Sequence, residues 1–401
     1  MVKLKSCLNY IVVLNLILLS GSLYSFYNFK LLFAFTSMLL MLSIAIQERK
    51  IFKELFIAVL FVISIIAVLV INLIFSPSNT ISEVLTFFFL SLTSCLSYFN
   101  LRGSSKDIST IICFVLKMIA YISIVGWLLS YIPIWQDVVF ENGFSQKSIL
   151  FLHFFLSNES IGGIDFIRNG GFFWEPGVLS VYMNFFLLIS LSVHKNYKNA
   201  LLASFVILTT FSTTGVLMVG IQWFYVVARS NSVQKLKKII IVFVLVVPFV
   251  FFGYTSLISK KNDDKTVTSY SMRTMDLYTG VMVTLEHPLI GIGLSKEIMY
   301  ENLNKHFGLD IAQVDGVLDK RGNSNSISQL FMIFGIPLSI IFFILLYNQD
   351  IINNDKFLSF LIIIICLCNE PLIFTPFFLF LVYSGWHNLI SAFKIKKRNL
   401  L

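Results

Sequence analysis

Of the 401 residues, 57% are hydrophobic, 15% aromatic and 13% charged. A chain this apolar has too little polar surface to cover a soluble core, which excludes a soluble enzyme and points to a polytopic membrane protein. The net charge of +9 does not indicate nucleic-acid binding, because the Lys and Arg lie mostly in short connections between apolar runs, as the positive-inside rule predicts.

In chain order, runs of about 20 apolar residues, enough for a membrane crossing of about 30 Å, fall near 8–26, 31–47, 55–75, 84–100, 110–133, 176–193, 239–258 and 326–347. The Lys3 and Lys5 start has no small-residue cleavage site after its apolar run, so the first segment is expected to be a retained helix. Regions 200–228 and 357–393 are too long for one plain crossing. The first is interrupted at Thr209-Thr210-Phe211-Ser212-Thr213-Thr214-Gly215, whose hydroxyls can bond freed backbone groups, and the second at Asn369-Glu370-Pro371. Each is two short crossings or a re-entrant pair. The expected fold is therefore an all-α polytopic integral membrane protein of about 10–12 transmembrane helices, forming one membrane domain over 1–401.

Loops at 47–54, 101–109, 194–198, 228–238 and 394–398 are basic and are placed in the cytoplasm with both termini. The opposite side then carries a first outside loop, 134–175, and a large loop, 259–325. Met275, Tyr278, Met282 and Leu285 recur at helical spacing, which predicts a helix over 269–286 with one apolar stripe and Arg273 off it. The cysteines, Cys7, Cys95, Cys113, Cys366 and Cys368, lie in apolar runs with no CxxC pair and read as small buried hydrophobes. The histidines show no i, i+4 pair, so no catalytic metal is expected.

Chemistry concentrates where the first outside loop re-enters the membrane, at Ile167-Arg168-Asn169-Gly170-Gly171-Phe172-Phe173-Trp174-Glu175-Pro176-Gly177. Arg168 and Glu175 bracket an aromatic run at a bilayer boundary, where charges are held by partners or a ligand, and Gly170-Gly171 permits close backbone approach. Arg168 can equally be a snorkelling interfacial anchor. Glu175 precedes Pro176, where a carboxylate suits a helix N-terminus without any catalysis. The functional reading makes it a general base or an orienter of Arg168, desolvated by Phe172, Phe173 and Trp174, which can also stack on a sugar.

The order of R-x-G-G-x-F-W-E-P-G at 168–177, an S-T-T-G break at 212–215, Arg273 running into His287-Pro288-Leu289-Ile290-Gly291-Ile292-Gly293, and Gly322-Asn323-Ser324-Asn325-Ser326 followed by Phe334-Gly335-Ile336-Pro337 resembles the bacterial O-antigen polymerase and ligase superfamily, membrane glycosyltransferases of GT-C type. The resemblance spans 167–388. It implies transfer of a glycan from a polyprenyl diphosphate carrier outside the cytoplasmic (inner) membrane, with no cofactor and no nucleotide sugar. Arg168 and Arg273 match the family's arginines and become the expected diphosphate clamp, since a guanidinium forks two charge-assisted bonds onto phosphate oxygens. Arg321, beside Lys320, is a weaker third candidate with a membrane-edge stop as its plain alternative. Trp174, His287 and Asn325 are candidate substrate contacts. For His287 the alternative is that only the glycines of its motif matter, and for Asn325 that it caps a helix. Ser324 stands where ligase relatives carry a histidine, which favours repeat-unit polymerisation of O-antigen or a related lipopolysaccharide glycan over ligation to lipid A core or protein. A chain-length regulator and a flippase are the partners the family implies, beside the carrier-linked donor and acceptor and membrane lipid. A transporter remains the reading from another class, because broken helices around a polar cavity also mark transporters.

Overall fold

The computed structural model describes residues 2–45, 52–75, 80–102, 107–132, 136–139, 145–149, 152–161, 164–229, 269–294, 301, 323–352 and 354–398. The apolar run near 239–258 and the candidate Arg321 lie outside them. The chain is an all-α polytopic membrane protein, and five of the described helices are long and apolar enough to cross a membrane. The helices are α1 (Val2–Leu19), α2 (Leu23–Ala45), α3 (Phe52–Phe75), α4 (Ile81–Arg102), α5 (Ile108–Leu129), α6 (Pro176–Leu188), α7 (Tyr197–Thr209), α8 (Thr213–Ala228), α9 (Ser269–Glu286), α10 (Ser326–Tyr347), α11 (Lys356–Asn369) and α12 (Pro376–Arg398). Packing divides the chain into two compact units, one of Met1–Val12, Ala34–Ser105 and Val267–Leu401, the other of Val13–Phe33 and Lys106–Thr266.

Among the described residues, the strands lie in the second unit. Between α5 and α6 the chain forms an antiparallel meander, β1 (Gln136–Val139), β2 (Ser145–Ile149), β3 (Leu152–Ile161) and β4 (Ile164–Gly171). The apolar-length pattern gave no sign of these strands. The first helix break is also displaced: it falls at Ser20-Gly21-Ser22 and not after residue 26, because that turn pairs with the chain leaving β4. Ser22 bridges Phe173, Leu23 N donates to Phe172 O (2.7 Å), and Trp174 N donates to Gly21 O (3.1 Å). Tertiary hydrogen bonding thus stops a helix that hydrophobicity alone would extend.

From Pro176 the chain runs as one span to Val193, its last turn a π-helix, and 89% of that span is buried in the protein, so it is the unit's central helix. Polar side chains join it to its neighbours: Tyr182 Oη donates to Ser20 O (2.7 Å), and Gln222 Nε2 to Asn184 Oδ1 (2.9 Å). Such bonds hold membrane helices together where apolar burial gives little preference for protein over lipid. The broken region 200–228 is a helical hairpin. Trp223 Nε1 of α8 donates to Ser204 Oγ of α7 (3.0 Å). With 13 and 16 residues, α7 and α8 rise about 20 and 24 Å, short of a full crossing.

In the first unit, α4 packs on α3 and α12, with Tyr98 Oη donating to Asp350 Oδ2 (2.7 Å) and the Ser91 and Tyr383 hydroxyls bonded to each other. The loop helix predicted over 269–286 is α9 (Ser269–Glu286), and its apolar stripe is not its buried face. Tyr278 and Leu285, from the apolar stripe, are exposed, whereas Asp276, Thr279, Gly280, Val283 and Thr284 are buried. Small and polar residues, with Val283, are the buried ones against α10, while Tyr278 and Leu285 face outward. Gly280 makes the approach possible: a Cβ there would stand 2.4 Å from Ser328 Cβ and 3.2 Å from its Cα. Gly280→Ala is therefore expected to cost about 1–3 kcal/mol by overpacking, seen as a lower Tm in detergent, while Leu277→Ala on the exposed face leaves Tm unchanged. An unchanged melting curve for Gly280→Ala would mean that the helices part here without cost.

Candidate functional site

Arg168 lies near the end of β4, opposite Ser157 on β3, and is half-buried. Its Nε donates to Thr210 O (3.0 Å), the carbonyl freed where α7 ends. The next residue, Asn169, is buried and completes the contact: its Nδ2 donates to Thr209 Oγ1 (3.0 Å) and its Oδ1 accepts from Gly171 N (3.0 Å). Trp127 Nε1 holds the strand from α5 by donating to Ile167 O (2.7 Å). The R-x-G-G run and the S-T-T-G break, recognised separately in the sequence, are thus one assembly. Its hydroxyl-rich turn, with Phe211 at φ 50° and Ser212 capping α8, offers backbone oxygens to the strand's cation.

The glycine of this run serves packing before any ligand. A Cβ at Gly171 would meet Ser123 Oγ of α5 at 2.6 Å. Phe172 is buried against Tyr24, Ile122, Trp127 and Ile167, and Phe173 is fully buried, stacked on Tyr182 at 4.7 Å. These two rings are core and give no sugar platform. Trp174 is half-buried and remains the one ring of the three with accessible surface. Glu175 is not the desolvated carboxylate expected: it is exposed, occupies the N-cap position of α6 with Pro176 following, and makes no side-chain capping bond. A carboxylate at a helix start is favoured by the helix dipole.

In the other unit, Arg273 sits one turn into α9 with 37% of its side chain exposed. Its Nη1 donates to Asn369 Oδ1 (3.3 Å), and its Nη2 stands 3.8 Å from Glu370 Oε1. Both partners come from the break between α11 and α12. Sequence reasoning identified that break without pairing it to Arg273; the signal was a carboxylate beside a proline at mid-span. The buried Asp276, one turn on from Arg273, accepts from Ser324 N (2.9 Å) and from Ser324 Oγ.

Asn325 is the N-cap of α10, its Oδ1 accepting from Ile327 N (2.9 Å) and Ser328 N (3.2 Å). That bonding is the helix-cap role. His287 is exposed just past the end of α9. Its motif docks by backbone: Ile292 N donates to Met332 O (2.8 Å), Gly293 N to Ile333 O (3.2 Å), and Ile336 N to Pro288 O (2.8 Å). Among the described residues no group of three metal-binding side chains occurs.

What the arrangement can do follows from the two arginines. Each is fixed through part of its guanidinium at the end of a broken helix, where backbone and amide oxygens are in supply, and each retains accessible surface. Fixed cations of this kind suit phosphate oxygens better than a mobile lysine does. No curated protein matches the chain. Residues 199–343 match the family model described as O-antigen ligase, a stretch that takes in Arg273, His287, Arg321 and Asn325 and begins beyond Arg168 and Glu175. Over that stretch, a little more than a third of its length, this multi-pass membrane protein is similar to that family.

Proposed function

We propose that the protein polymerises polyprenyl-diphosphate-linked oligosaccharide repeat units into O-antigen or a related surface polysaccharide, on the outer face of the cytoplasmic membrane. The observation that carries this reading is Arg273, a half-exposed guanidinium held in a fixed frame by Asn369 and Glu370 within the matched stretch. In the reaction an acceptor hydroxyl attacks the anomeric carbon of the donor glycan, the bond from that carbon to the diphosphate oxygen breaks, and polyprenyl diphosphate departs with the electron pair. Diphosphate is already a competent leaving group, so the protein's task is to hold it and stabilise its growing charge. Arg273 is assigned that task, and Arg168 is assigned it on residue type and on its position before α6. Glu175, exposed at the start of α6, is assigned the acceptor proton. Glu175→Gln is then expected to slow polymer formation about 10²-fold, the lower end for a general base. Rates in membranes at matched protein level check this, and a rate equal to wild type would reduce Glu175 to an N-cap.

Polymerase is preferred to ligase because Ser324 occupies the place where ligase relatives carry a histidine, and because Asp276 accepts hydrogen bonds from its hydroxyl and amide. That pairing offers no imidazole base. The ligase reading is favoured by the description of the matched family. Deleting the gene in its host separates the two: loss of a polymerase leaves surface glycan of core plus one repeat unit, whereas loss of a ligase leaves polymer on the lipid carrier and none at the surface. An unchanged ladder would remove both enzyme readings and return the transporter.

A further inference from the structure

The pair between Arg273 and Glu370 has an uneven construction. Glu370 is buried, its side chain 5% exposed, and its backbone is fixed: its N donates to Cys366 O (3.0 Å), and its O accepts from Ser326 Oγ (2.5 Å) and from Leu372 N (2.9 Å). Asn369 is fixed as well, with Nδ2 donating to Ile365 O (2.7 Å), which sets its oxygen toward Arg273. Arg273 reaches this frame from its own helix and keeps 37% of its side chain accessible. The contact of 3.8 Å is a charge pair and too long for a hydrogen bond. Glu370 therefore neutralises Arg273 without saturating the guanidinium's donors.

We infer that Glu370 is the resting counter-ion of Arg273, from which the guanidinium turns when a diphosphate binds and to which it returns when the product leaves. This rests on the reading of Arg273 as a diphosphate-holding residue. A carboxylate fixed at this distance lowers the affinity of Arg273 for a competing anion and so promotes release. Release matters here, because a product that stays bound blocks the next unit. Glu370 acts through Arg273 and is a positioning residue.

The test is binding of inorganic pyrophosphate to the purified full-length protein in lipid nanodiscs, by calorimetry, for wild type, Glu370→Gln, Arg273→Ala and the double variant. Glu370→Gln keeps the side chain's shape and is expected to bind about tenfold more tightly, a change of about 1.4 kcal/mol. Arg273→Ala is expected to lose binding, and the double variant to match it. Loss of a merely structural carboxylate cannot tighten binding. Melting temperatures of the four proteins, with Glu370→Asp as a charge-retaining fifth, show that each is folded. If Glu370→Gln binds as wild type or more weakly while Arg273→Ala loses binding, the counter-ion role is overturned and the diphosphate reading stands. If Arg273→Ala binds as tightly as wild type, both fall together.

Discussion

Arg273→Ala is expected to lower polymer formation by about 10² to 10³-fold, the usual cost of removing one charge-stabilising donor from a transfer site. Arg273→Lys is expected to recover little of that loss. A guanidinium presents donors in a plane, and here one Nη faces Asn369 and the other faces Glu370; a single ammonium cannot meet both directions and a phosphate as well. The measurement is polymer ladder intensity per unit of membrane-inserted protein, with Arg168→Ala beside it. Arg168→Ala carries a second cost, because the Thr210 carbonyl at the end of α7 loses its donor, worth about 1–3 kcal/mol if left unsatisfied. Its phenotype is therefore read only after normalising for protein level. A lysine at 273 with wild-type output would show that charge alone suffices and that the fork is unused.

Gly291→Val is expected to prevent accumulation of folded protein. Gly291 has φ 69°, and a Cβ there would lie 2.3 Å from Met332 O and 2.5 Å from Ile333 O. The left-handed backbone alone costs a β-branched residue about 1–3 kcal/mol; the clash with α10 backbone comes in addition. The cause is the double break at this place. Gly335 at φ 70° and ψ −176°, with Pro337 behind it, opens α10. The exposed carbonyls of Met332 and Ile333 are taken by Ile292 and Gly293, and Asn72 Nδ2 of α3 donates to Ile290 O (2.8 Å). A break inside membrane-spanning structure is tolerated only where its backbone groups find such partners. Size-exclusion profiles in detergent check the prediction, with Leu289→Ala, 73% exposed, as a silent neighbour. A monodisperse Gly291→Val protein would show that the turn can undock.

The sequence carried the parts of this architecture that depend on composition and local period. The span from Pro176 to Val193, the extent of α9, and both helix breaks follow from apolar length, a helical repeat and hydroxyl or proline interruptions. The inward face of α9 did not, because it is set by the close approach of Gly280 to Ser328 on α10, a long-range contact that a local apolar repeat does not encode. The strands were missed although Ile161-Gly162-Gly163-Ile164 carries a two-residue hairpin signal. Of the site, the charged residues were legible one by one. Their partners were not: Thr210 for Arg168, and Asn369 and Glu370 for Arg273, are fixed by packing between segments 42 and 96 residues apart, which no local pattern encodes.

The turn at Ser20-Gly21-Ser22 leaves its bonds to Phe172 and Trp174, about one hundred and fifty residues downstream in order of synthesis. The ribosome delivers the first helical pair long before the partner that closes its corner exists. At about 5–20 residues per second, that interval lasts roughly eight to thirty seconds. Until then the Gly21 carbonyl and the Leu23 amide lack the partners that β4's exit provides, so the amino-terminal corner can close only once residue 174 has been made.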